Sequence, residues 1–122
     1  MKEPGSFQAI YLYAGQVDFR KAIDGLSVLI ESELEKNVFE KGSIFIFVNR
    51  NRSRMKCLYW DQTGFALWMK RLEKSKFPWL KRAACDSTIT ATITHRELSL
   101  LLDGFDIFKT KPHEVLNYAC VS

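Results

Sequence analysis

Between Phe19 and Leu34, apolar residues recur at three- and four-residue steps: Phe19, Ala22, Ile23, Leu26, Leu29, Ile30 and Leu34. That spacing draws one apolar stripe along a helix. Asp18 stands where a helix N-cap would stand. Gly25 lies inside the pattern, where glycine costs about 1 kcal/mol relative to alanine. Its presence there points to close packing, as against a sheet. Glu31, Glu33 and Glu35, followed by Lys36-Asn37, read as a solvated helix end.

The rest of the pattern is that of strands. Phe7 to Tyr13 is aromatic and β-branched, a first strand closed by Ala14-Gly15-Gln16. Ile44 to Val48 is a continuous apolar run, so a buried strand. Asn49 to Arg54 is a polar turn, and Met55 to Trp60 returns as the second arm of a hairpin. Asp61-Gln62-Thr63-Gly64 has the Asp and Gly of a type I turn. Phe65 to Leu72 alternates as a third meander strand, although Phe65, Trp68, Met69 and Leu72 also fit a helix. Phe77 to Leu80 is a short strand, which Pro78 assigns to an edge.

Thr88 to Thr94 alternates threonine with Ile89, Ala91 and Ile93, the cleanest period of two in the chain. Thr94-His95-Arg96-Glu97 has the form of a capping box. Leu98, Leu101 and Leu102 follow as a buried helical face, and Gly104 as its stop. Pro112 opens a final short helix through Tyr118. Together these elements predict an α+β fold. It is a mainly antiparallel sheet (meander) with one long helix packed on it and one or two short C-terminal helices. The length of 122 residues predicts a single domain over 1–122, with its core at about 7–104.

Composition narrows the class. Apolar residues make up 47% and charged residues 26%, values of a globular chain. No apolar run approaches the roughly 20 residues of a membrane helix, and Pro4-Gly5 makes the N-terminus a poor signal peptide. The expectation is a cytoplasmic protein without a membrane partner. Cys57, Cys85 and Cys120 lack the paired spacing of a zinc site, so free structural thiols are expected. His95 and His113 are too scattered to complete a metal site. No metal or other cofactor is expected.

Charge changes the picture more. From Asn49 to Arg82 there are ten Lys or Arg against two acids, a net of +8 over 34 residues. The remainder holds eight basic and twelve acidic residues, a net of −4. Basic charge interleaved with aromatics suits a polyanion, with nucleic acid foremost. Arg50, Arg52 and Arg54 occupy alternate positions. If strand geometry runs through the tip, all three face one way and can clasp a phosphate backbone. Lys56, Lys70, Arg71, Lys74 and Lys76 extend the candidate surface, with Lys81-Arg82 beyond. The bland reading is a solvated turn and a charge-guarded strand edge. Tyr59, Trp60, Phe65, Trp68 and Phe77 are assigned to the core. Trp79, beside Pro78 at an expected edge, is the aromatic kept as a base-stacking candidate. Arg20-Lys21 could hold an anion at a helix start, but Asp18 competes as cap and ion-pair partner.

Catalysis finds little footing. Asp18, Asp61 and Glu73 are the acids near the basic motifs, and they lack the clustering that a two-metal nuclease requires. There is no phosphate loop, nucleophile elbow or zincin helix. No catalytic residue is assigned.

The order of motifs resembles the TnpB accessory protein of bacterial insertion sequences of the family numbered sixty-six, the product of the element's second open reading frame. The matching residues are Asp18-Phe19-Arg20-Lys21 with Gly25-Leu26, then Phe47-Val48-Asn49-Arg50, Lys56, Leu58 and Trp60-Asp61. Gly64-Phe65, Leu67, Lys70-Arg71-Leu72-Glu73, Phe77 and Trp79 follow. The likeness covers roughly residues 8 to 80, with a weaker echo at Leu101-Leu102-Asp103-Gly104. Leu80 departs from it where a proline is expected. The resemblance implies a non-catalytic accessory role in DNA transposition, beside a separately encoded transposase. With the basic surface, it implies transposon DNA and that transposase as partners. The alternative is a protein–protein adaptor that touches the transposase without direct DNA contact.

Overall fold

The computed structural model describes residues 3–15, 17–79 and 90–108. After a short 3₁₀ turn at Pro4–Ser6 come β1 (Ala9–Tyr13), α1 (Ile23–Glu33), β2 (Ser43–Val48), β3 (Arg54–Asp61), β4 (Gly64–Arg71), β5 (Thr90–Thr92) and α2 (His95–Leu102). The architecture is α+β: one five-stranded sheet in the order β4-β3-β2-β1-β5, with two α-helices. The β1–β2 pair is parallel, joined across α1, and the other pairs are antiparallel. No described helix is long and apolar enough to cross a membrane.

β2 lies at the centre, and all six of its residues are buried. Its unbroken apolar run follows from that position, since both faces are covered. The register shows what covers them. Lys56 of β3 stands opposite Phe47 of β2, and the Phe47 ring meets that of Tyr13 at 5.7 Å. On this face the Tyr13 hydroxyl donates to Glu33 of α1 at 2.7 Å, and Lys56 reaches the residues leading into α1. Lys70 of β4 stands opposite Met55, so it points to the other face, where its ammonium reaches the carbonyl of Leu102 in α2. One helix therefore covers each face, where the sequence pattern placed a helix on one.

The double periodicity of Phe65 to Leu72 resolves as a strand. β4 pairs with β3 from Asp61–Gly64 through to Arg54–Arg71. The turn between them is not type I, because Gln62 takes φ 53°. A type I turn keeps φ negative at both central residues, whereas hairpins favour turns with positive φ there. Phe77 to Trp79 form no strand. The Phe77 N–H is instead bonded to the carbonyl of Arg52, and Phe77 is fully buried.

α1 starts at Ile23, later than the apolar stripe suggests. Asp18 does not cap it. Its carboxylate accepts from the Arg20 backbone N–H at 2.9 Å and from the Arg20 guanidinium. The carbonyls of Phe19 and Lys21 are drawn to Lys56, which removes them from the helical ladder, and Ala22 is extended. A Cβ on Gly25 would sit 3.1 Å from the Lys21 side chain, so the close approach is to this lead-in rather than to the sheet.

α2 forms with the capping box that its sequence predicts, although Leu102, expected on the buried face, is only half-buried. Thr94 Oγ1 accepts from the Glu97 N–H at 3.1 Å, and Glu97 returns the bond to the Thr94 N–H at 3.0 Å. At the other end Gly104 has φ 89°. Its N–H bonds to Leu101 and that of Phe105 to Leu100, the paired bonds of a Schellman stop. Leu98 and Leu101 are fully buried. Within the described part of the alternating threonine segment, Thr90–Thr92 form β5, and Ala91 and, just beyond it, Ile93 are buried. The helix expected from Pro112 to Tyr118 lies outside the described residues, as do Lys81-Arg82, Cys85 and Cys120.

Candidate nucleic-acid interface

The tip between β2 and β3 is a built turn, and Asn49 builds it. Its side-chain oxygen accepts from the N–H groups of Ser53 (2.9 Å) and Arg54 (3.1 Å), and its amide donates to the Ser53 hydroxyl. The Arg52 N–H closes back on the Asn49 carbonyl at 3.0 Å. This geometry puts Arg52 at φ 59°. Strand alternation is therefore broken at the tip. Arg50 and Arg54 line one hollow, and Arg52 stands outside its lining.

The following segment is stitched to the tip. The Leu72 N–H bonds to the Ser53 carbonyl at 2.8 Å and the Phe77 N–H to that of Arg52 at 2.7 Å. Lys74 and Lys76, exposed between those two bonds, are thereby held beside the arginines. Arg71 stands directly across from Arg54, a like-charge pair that strands ordinarily avoid. Glu73 relieves Arg71 through a 2.7 Å ion pair, which at this exposure is worth little. Arg50, Arg52, Arg54, Lys74 and Lys76 have no ion-pair partner among the described residues.

Three of the nine residues that the sequence nominates for binding sit differently from the surface cations. Lys56 is buried, 9% exposed. Its ammonium donates to the carbonyls of Phe19 (2.9 Å) and Lys21 (2.8 Å) and lies 4.8 Å from the centre of the Phe19 ring. Burial, with Arg54 nearby, holds its pKa below the ordinary lysine value. Lys70 is half-buried and spends its charge on the last turn of α2, at 2.6 Å from the Leu102 carbonyl. A cation there also meets the negative end of the helix. Trp79 is 7% exposed, and its indole N–H donates to the Tyr13 carbonyl at 2.8 Å. The neighbouring Pro78 marks a chain crossing the core's rim, and not an exposed strand edge.

The hollow beside the tip has a volume of about 600 Å³. Asn49, Arg50, Asn51 and Arg54 come from the hairpin, and Val17, Asp18, Phe19 and Arg20 from the lead-in to α1. Hydrogen bonds from the Arg20 side chain and backbone hold the Asp18 carboxyl down at about 2. The contribution of this clasp is therefore complete above the ordinary aspartate range and is lost as pH falls through about 2. Asn49 and Asn51 escaped the charge-based reading. The signal for Asn49 was Asx-turn chemistry in a polar tip; Asn51 carried none.

Among the described residues no three His, Cys, Asp or Glu side chains gather as a metal site. Cys57 is a free, buried thiol, which burial pushes well above its ordinary pKa.

Fold and site define a small α+β protein with one strongly basic end. The chain belongs to the IS66 Orf2-like family, whose model matches residues 8–112, and so to the accessory products of IS66 transposition elements. It is similar to two proteins of Sinorhizobium fredii (strain NBRC 101917 / NGR234). Uncharacterized protein y4jC is 36% identical over 97 residues, covering 78% of this chain and 77% of its own. Uncharacterized protein y4hO is 28% identical over 106 residues, covering 87% and 88%. No solved structure matches.

Proposed function

We propose that this chain serves transposition as a non-catalytic DNA-binding accessory factor, gripping phosphates with the end of the sheet that carries the hairpin tip. One observation carries the reading: five exposed cations without ion-pair partners among the described residues are fixed at that end by backbone hydrogen bonds. The Arg54–Arg71 juxtaposition adds to it, since an anion between two guanidiniums turns a local repulsion into an attraction. Transposon DNA is the expected ligand, in the cytoplasm, beside the transposase of the same element.

Fluorescence anisotropy across salt concentrations tests this reading. Five phosphate contacts predict a log–log slope of about −4.5. A folded protein that fails to bind DNA at low salt refutes it.

A second reading, an adaptor that touches only the transposase, is favoured by the opposite end of β3. There Trp60, Phe65 and Phe39 form an aromatic cluster with centroids 5.0–5.4 Å apart, and Phe39 is 52% exposed. Met69 on the same face is 53% exposed. Under this reading the co-expressed transposase co-purifies after nuclease digestion, and Phe39→Asp abolishes the association. Co-purification that persists only while DNA is intact counts against it.

A further inference from the structure

We infer that the hollow beside the hairpin tip receives one unpaired nucleotide, so that the chain prefers single-stranded or frayed DNA to intact duplex. This rests on the reading that the basic end binds DNA, and it names the form of DNA bound.

The lining is the reason. Gripping a duplex backbone needs cations on a surface, and the exposed arginines and lysines supply those. The hollow holds more. Its lining includes Val17, which is buried, Phe19, which is half-buried, and Asn51. Apolar side chains in the lining are superfluous to a phosphate and suited to the flat face of a nucleobase. An amide offers the donor and acceptor that a base edge presents, adenine above all. Arg50 and Arg54 at the same hollow supply the phosphate contact. A base stacked and paired within a duplex has no free face to lay on an aromatic ring, while an unstacked one has.

The charge balance permits it. Asp18 faces the hollow, but three hydrogen bonds to the Arg20 guanidinium, at 2.6–3.1 Å, cancel its charge locally. Arg50 and Arg54 then leave the hollow net positive. The Lys56 ammonium against the Phe19 ring occupies one ring face and fixes the side chain. The other ring face is the one assigned to the incoming base.

Three probes of equal length separate the contributions: a twelve-residue single-stranded oligodeoxyadenylate, its duplex, and an abasic deoxyribose-phosphate oligomer with the same charge. The expected result is binding of the single strand about tenfold tighter than either of the others. Asn51→Ala, at an exposed position, and Phe19→Leu, which retains an apolar side chain, should each lower single-strand affinity toward the abasic level. Their salt slopes should stay unchanged, because no phosphate contact is removed. An abasic oligomer that binds as tightly as the oligodeoxyadenylate overturns the inference and leaves the backbone-gripping function intact. Absence of binding by all three at low salt overturns both.

Discussion

Replacing Lys56 by alanine is expected to destabilise the fold by about 3 kcal/mol, a fall of roughly 10 °C in melting midpoint. The cause is specific. Two charge-assisted hydrogen bonds to the carbonyls of Phe19 and Lys21 are lost, and so is the buried stem that packs beneath them. Relief of the ammonium's own desolvation offsets part of this, which keeps the figure below the sum of two charged bonds. Lys56→Met restores the stem without the donor and should fall between wild type and alanine. Because residues 17–20 line the hollow, both variants should also weaken DNA binding under conditions where they remain folded. Thermal melting monitored by circular dichroism, with anisotropy alongside, measures both. Lys56→Met with wild-type stability and wild-type affinity would show that the ammonium ties nothing down.

The second large effect is on binding alone. Arg50→Ala, Arg52→Ala and Arg54→Ala combined should reduce DNA affinity about 100-fold at moderate salt, on the order of 1 kcal/mol for each contact removed. The salt slope should become shallower by about three. The melting midpoint should hardly move, because the turn is held by backbone bonds and by Asn49 rather than by these side chains. A triple variant that keeps the full slope would place the DNA elsewhere on the molecule.

The contrast between Lys56 and the arginines shows where sequence reasoning reached and where it stopped. A count of charge treats all ten cations between Asn49 and Arg82 alike. Strand alternation alone does not hold the distinction, because Arg54 and Lys56 share one face of β3; Arg54 opens the strand at the exposed tip, whereas Lys56 lies within it beside Leu58, in packed material. The expected meander already set β3 between β2 and β4; what the sequence could not supply was that Phe77 to Trp79 add no further strand, which leaves β4 at the edge. Phe65 to Leu72 likewise stays open between strand and helix in the sequence, since both periods fit and the pairing with β3 decides. Asp18 fails as a cap because its guanidinium partner is two residues away, and local competition of that kind is invisible to the apolar stripe. Trp79 is buried where an edge was expected, because proline next to tryptophan signals an edge only when a strand is there. The α2 capping box and Gly104 stop were legible throughout, being set by residues adjacent in the chain.

The hairpin tip has an implication for how such a surface changes over generations. Positions 50, 51 and 52 carry exposed side chains, while the shape of the turn is specified by Asn49 and main-chain groups. Under the proposed DNA-binding role, folding and recognition are thus written in different residues there. In that role, substitutions at those three positions would retune affinity, or exchange one nucleic-acid preference for another, with little cost to folding, and Asn or Gly at 52 would even suit its backbone better. Divergence between related elements has a cheap path through this loop, provided that Asn49 stays.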